Sequence, residues 1–192
     1  RLDGIFDGNA VDPDIVRLED GRYRLFYFLG HFVDLPPMDA DLSHPMYSAI
    51  SEDGIHFTVE NIAISVEEGG TDPSVVQAED GSWLMAIAHN DRTLLARSED
   101  GTRFALEESS FAQGIPELWS FGTEIRLYIS GRNLYIHSST DSGRAWSALP
   151  SALLPGADPS MLREEDGSYT LFYKSWETSA GPGMGPPPGE GP

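Results

Sequence analysis

Apolar residues in this chain fall in short runs, with no stripe at helical spacing. Strand-like alternation is best in residues 22–27, RYRLFY, where Arg and apolar side chains alternate up to Leu25 before the run becomes wholly apolar. Three stretches repeat one pattern. Residues 12–28 read DPDIVRLEDGRYRLFYF, residues 72–88 read DPSVVQAEDGSWLMAIA, and residues 158–174 read DPSMLREEDGSYTLFYK. Each has an Asp-Pro pair, an apolar run, an Asp-Gly pair eight residues after the first Asp, and a second apolar run. That order predicts strand, tight turn, strand. No segment combines a 3.6-residue period with caps, so essentially no helix is expected.

The spacing of the repeats adds a fourth unit. The first two Asp residues stand 60 apart, and the second and third stand 86 apart, twice 43. A degenerate copy should therefore lie near residue 115, where the chain reads IPELWSF and then RLYIS. Glu117 there takes the place of the leading Asp, so the expected equivalent residues are Asp12, Asp72, Glu117 and Asp158. The first three units also carry a second half: YSAIS, EDG and FTV from residue 47, LLARS, EDG and FAL from residue 94, and LYIHS, STDSG and Trp146 from residue 134. Short strands joined by turns, with about 45 residues per unit, predict an all-β fold: a β-propeller of four-stranded antiparallel blades, about four of them recognisable. Residues 1–179 are read as one propeller domain. The fourth unit shows two strands, and residues 1–10 are expected to supply an outer strand that closes the ring. Residues 180–192, AGPGMGPPPGEGP, cannot bury enough apolar surface to offset their ordering entropy and are expected to form a flexible tail.

Composition narrows the partners. The net charge of −19 argues against nucleic acid and against anionic membranes, both of which attract basic faces. With no cysteine, disulfides and thiolate metal sites are excluded. No apolar run reaches the length of a membrane-spanning helix. A monomer is expected.

Strand direction predicts where the chemistry gathers. If the first strand of each blade begins at one face, its Asp-Gly turn lies at the other, and the loop after the second strand returns to the first face. That face should carry Asp12, Asp72, Glu117 and Asp158 near the axis, with His31, His89, Arg92, Arg132 and Trp176 on its loops and Trp119 beside Glu117. An insertion in the first unit, residues 30–46, joins the same face and brings His31, Asp34, Asp39, Asp41 and His44 over it. His31, His89, Arg92, Trp119, Arg132, Asp158 and Trp176 are the candidate substrate-binding residues. Two or more carboxylates around an axis suit general acid and base work, because neighbouring like charges push one proton affinity up. Two other readings of the same acids stay open: a repeat-encoded strand start, and an oxygen-rich Ca2+-like site near the axis. No cofactor is required by any motif, and no transition-metal site is assigned. The acids, crowded together, call for a counter-charge from a basic side chain or a cation.

The run Ser139-Thr140-Asp141-Ser142-Gly143-Arg144-Ala145-Trp146 matches the Asp-box of sialidases, and Ser51 to Phe57 and Ser98 to Phe104 are versions one residue shorter. It reads as a structural hairpin turn on the face opposite the acids.

Taken together, these motifs resemble the five-bladed propeller glycoside hydrolases, family 43 and its relatives in families 32, 62 and 68. The likeness covers roughly residues 10–176. It rests on the order Val11-Asp12-Pro13, Thr71-Asp72-Pro73-Ser74 and Pro116-Glu117-Leu118. The resemblance implies that Asp12 is a general base, Asp72 a residue that tunes the acid, and Glu117 the general acid. It also implies a carbohydrate substrate, most readily a pentose-type linkage, and a secreted or periplasmic location. The alternative is a propeller of the same lineage that binds sugar or protein without catalysis.

Overall fold

A computed structural model of the chain describes residues 2–3, 9–30, 44–67, 69–90, 92–131, 133–150 and 156–175. Every regular element among them is a strand. The strands form separate antiparallel sheets in a repeated order, the blades of a propeller. Blade one is β2 (Asn9–Arg17), β3 (Tyr23–Gly30), β4 (His44–Ser51) and β5 (Phe57–Val66). Blade two is β6 (Gly70–Gln77), β7 (Trp83–His89), β8 (Arg92–Ser98) and β9 (Ala105–Ala112). Blade three is β10 (Pro116–Phe121), β11 (Glu124–Ile129), β12 (Tyr135–Ser139) and β13 (Ser147–Ala148), and blade four is the pair β14 (Gly156–Arg163) and β15 (Tyr169–Ser175).

The remaining strand, β1 (Leu2–Asp3), corrects one expectation. It adds to blade one, pairing in parallel with β5 through Leu2↔Phe57 and Asp3↔Thr58. The N-terminal outer strand therefore extends the first blade and does not complete the fourth. The tail at residues 180–192 lies outside the described residues.

The first hairpins close as the Asp-Gly pairs predict. In blade one the Leu18 amide donates to the Arg22 carbonyl at 2.8 Å and Gly21 N to Leu18 O at 3.0 Å, with Gly21 at φ +90°. Blades two and four repeat this with Ala78, Gly81, Ser82 and with Glu164, Gly167, Ser168. Each turn needs one left-handed residue, and glycine occupies that position without steric cost. The second hairpins use side chains instead. Ser139 Oγ donates to Asp141 Oδ1 at 2.7 Å and accepts from Gly143 N at 2.9 Å, while Asp141 Oδ1 accepts from the amides of Arg144 and Ala145. Ser51 with Asp53 and Ser98 with Asp100 make the same local net. Such nets satisfy turn amides that no strand can reach.

Between blades the core follows the period of two. Val75, Trp83, Met85 and Ile87 of blade two face Phe26, Phe28 and Met46 of blade one, whereas Val76, Leu84, Ala86 and Leu95 face Leu118, Ile125, Leu127 and Ile129 of blade three. Alternate side chains of one strand thus serve two different seams. That is why β7, which opens WLMAIA, reads as continuous apolar sequence. The first strands β2, β6, β10 and β14 pack on one another in turn and form the inner wall. Polar side chains also cross the seams. Arg24 of blade one donates to Glu60 at 2.8 and 3.1 Å and to the Gly101 carbonyl of blade two at 3.3 Å, and Arg97 of blade two donates to the Ser142 carbonyl of blade three at 3.0 Å.

Candidate active site

The Asp-Pro pairs do not start their strands. β2, β6 and β14 each begin before the pair, at Asn9, Gly70 and Gly156, and the pair sits at a break in register. In blade one Val11 faces Phe28 and Asp14 faces Phe26, so three steps on β2 oppose two on β3. The same extra residue appears between Thr71 and Ser74 and between Ala157 and Ser160. It is a β-bulge, repeated three times. Asp12, Asp72 and Asp158 carry φ of +46°, +49° and +50°. A proline that follows disfavours the right-handed helical region, and aspartate tolerates the left-handed one better than most residues. The Asp-Pro dipeptide is therefore the sequence form of this bulge.

Blade three has no bulge. Pro116 faces Ile129, Glu117 faces Tyr128 and Leu118 faces Leu127 without interruption. Counted by register, Glu117 stands where Asp14, Ser74 and Ser160 stand, not where Asp12, Asp72 and Asp158 stand. This corrects the expected equivalence of the four acids. They occupy two tiers, three aspartates at the bulges and one glutamate in the tier below.

Hydrogen bonds between blades confirm the lower tier. Asp14 Oδ2 accepts from Val75 N at 2.5 Å, Ser74 Oγ accepts from Leu118 N at 2.8 Å, and Glu117 Oε1 accepts from Met161 N at 3.3 Å. Each side chain crosses one seam to the residue that follows its own counterpart. Ser74 Oγ also donates to Glu117 Oε2 at 3.3 Å. Both oxygens of Glu117 are thus held, one from each flanking blade.

Burial and like charge set the proton affinities. Glu117 is pushed up to about 8, first by burial and then by the nearby charge of Asp14, against the pull of the Met161 and Ser74 hydrogen bonds. Asp14 rises to about 6, driven by burial against hydrogen bonds from the Val75 and Ile15 amides. Asp12 is raised by burial, then by the charges of Asp72 and Asp158. Asp72 is raised by burial and, less, by Asp158, while Thr71 pulls it down. The bulge aspartates therefore share one field, and a basic group meets it: Lys174 Nζ lies 4.0 Å from Asp158 Oδ2. Among the described residues, no group of three or more His, Asp and Glu is arranged to hold a metal ion.

The structure brings Asp12, Asp72, Glu117 and Asp158 to the inner wall. His89 ends β7, its ring Nε2 3.3 Å from the Glu67 carbonyl, and Arg92 is exposed at the start of β8. Trp119 packs edge-on to Tyr169 of blade four, with centroids 6.4 Å apart, which makes it a seam residue. Its Nε1 is buried without a hydrogen-bond partner. His31, Arg132 and Trp176 lie outside the described residues, as does the body of the insertion after Gly30. Asp14 and Ser74 are the site residues that sequence reading passed over. The signal was present in the repeat itself: two residues after the leading aspartates stand Asp14, Ser74 and Ser160, which marks Asp14 as the odd residue.

No family model matches the chain, and no curated protein matches it by sequence. Solved structures do. A protein of Dyadobacter fermentans superposes with a TM-score of 0.67 at 16% identity, over 89% of this chain and 63% of that one. A family 117 glycoside hydrolase of Zobellia galactanivorans gives 0.66 at 16% identity, over 90% of this chain and 70% of the other. An α-L-arabinanase of Cellvibrio cellulosa, solved with arabinohexaose, gives 0.58 at 16% identity, over 88% and 69%. The fold is that of the glycoside hydrolase-like propellers. This chain spans about two thirds of the length of these structures.

Proposed function

We propose that this chain is a carbohydrate-active propeller that hydrolyses glycosidic bonds. The observation that carries the reading is Glu117, a carboxyl on the inner wall whose proton is retained to about pH 8. A group protonated at neutral pH can donate to a leaving glycosidic oxygen. Asp12, less deeply desolvated and on the tier above, is the natural partner as general base for a water on the opposite side of the sugar. Asp72, which the resemblance casts as the residue that tunes the acid, bears here on Asp12 instead, and its field with that of Asp158 favours a positive, oxocarbenium-like centre over a neutral one. The two roles would then give inversion at the anomeric carbon. Structural likeness to an arabinanase supports pentosides as the first substrates to try.

A panel of chromogenic pentosides and hexosides tests the reading. Turnover by the wild type that vanishes in Glu117→Gln and in Asp12→Asn supports it. Sugar binding without turnover would favour a non-catalytic binding module, the second reading.

A further inference from the structure

The lower tier contains a second carboxylate that the proposed chemistry does not use. Asp14, Ser74, Glu117 and Ser160 share one register, opposite Phe26, Ala86, Tyr128 and Phe172. The first three make the same inter-blade bond, to Val75 N, Leu118 N and Met161 N. Ser74 shows that a neutral hydroxyl meets this need: it accepts from Leu118 N at 2.8 Å. A buried carboxylate in the same role costs far more desolvation. The seam therefore does not explain why blade one has Asp at this place. What the carboxylate adds is charge, directed at the tier that holds Glu117.

We propose that Asp14 is a positioning residue for the acid: its carboxylate, anchored on the Val75 amide one link before Ser74 and Glu117, sets how tightly Glu117 holds its proton. This rests on the reading of Glu117 as the general acid. The packing around Glu117 leaves few competitors. β6 presents Ser74, with Asp72 on the tier above, and β14 presents the Met161 amide, with Asp158 above. β11 places Tyr128 opposite Glu117, next to Arg126, which is itself paired with Glu124 at 2.9 Å. β7 carries only His89 at its far end. Asp14 is the like charge that acts on Glu117. A negative neighbour in a low-dielectric wall keeps the proton on, so that Glu117 remains an acid at neutral pH.

The test is a carboxyl NMR titration of the full chain labelled at glutamate, with the Glu117 signal identified by its loss in Glu117→Gln. In Asp14→Asn the amide oxygen can still accept from Val75 N while the charge is gone. The Glu117 midpoint should fall by about one pH unit, a roughly tenfold loss of proton affinity. Asp14→Ser, which copies the blade-two arrangement, should give the same fall and guards against a misfolded Asn variant. An unchanged midpoint in the folded variants overturns the proposal. Where a chromogenic glycoside is turned over, the alkaline limb of kcat/KM should move down with the NMR midpoint; a limb that stays in place while activity drops would assign Asp14 a structural role and overturn it too. A chain that hydrolyses no glycoside sinks the glycosidase reading alone, because the titration still decides the coupling.

Discussion

Ser74 Oγ lies 3.3 Å from Glu117 Oε2 and 2.8 Å from Leu118 N, donating to the first and accepting from the second. One hydroxyl thus joins blade two to both the backbone and the carboxyl of blade three. Ser74→Ala should leave the Leu118 amide buried without an acceptor, at a cost of roughly 1–3 kcal/mol. It should also raise the proton affinity of Glu117, since the Ser74 bond favours the ionised form. Urea unfolding and the Glu117 titration midpoint check the two effects separately; a midpoint that falls would contradict the geometry.

Glu117 gives stability a defined pH slope. The folded chain keeps its proton to about pH 8, whereas an unfolded glutamate releases it near 4.5. Between those values the folded state binds more protons, so stability from this group declines as pH rises. Asp14 adds the same sign between 3.8 and about 6. Glu117→Gln removes the first contribution. Relative to wild type, the variant should gain stability on going from pH 5 to pH 8, on the order of a few kcal/mol. Parallel Tm profiles of the two proteins would refute it.

The second-hairpin glycine of blade three is a packing position. Gly143 has φ +77°, and a Cβ there would stand 2.2 Å from Leu84 Cδ1, a fully buried side chain of blade two. Gly122 has the same φ and nothing within 4 Å. Gly143→Ala should cost roughly 2–4 kcal/mol, from backbone strain and displacement of Leu84 together, and Gly122→Ala only about 1–2 kcal/mol. Equal losses for the two variants would mean that the seam tolerates the added methyl.

Arg24 ties the outer edge of blade one to the Ser98–Asp100 turn of blade two, with Glu60 as its carboxylate partner. Its side chain is 9% exposed and that of Glu60 22%. Arg24→Ala removes both bonds and leaves Glu60 without its counter-ion, so a loss of roughly 2–4 kcal/mol is expected. Adding Glu60→Gln to that variant should recover part of it. A double-mutant cycle with no coupling energy would show that the pair is a surface ornament of the seam.

The repeat, the strand alternation and the turn chemistry were all legible in the chain because each is local. The apolar runs on either side of each Asp-Gly pair mark two paired strands, Gly21, Gly81 and Gly167 mark left-handed turn positions, and Ser139 with Asp141 closes a hairpin with atoms a few residues apart. The exclusion of disulfides likewise needs only composition. The candidate acids Asp12, Asp72 and Glu117 also came from sequence, through their order along the repeats.

Their equivalence did not. Sequence similarity aligned Glu117 with Asp12 because both lead an apolar run, but a bulge adds one residue to β2, β6 and β14 and none to β10. Register is a property of two strands at once, and a period of two looks the same along one strand wherever its partner sits. Only the folded sheets could place Glu117 beside Ser74 and level with Asp14. The same holds for β1: residues 2–3 carry no mark of which blade they join, and pairing with Phe57 and Thr58 was decided by where an edge strand lay open in space. The sequence by itself determined a propeller with acids on its inner strands. The tertiary structure decided which acids meet, because desolvation and like-charge coupling depend on distances across seams that no repeat along the chain encodes.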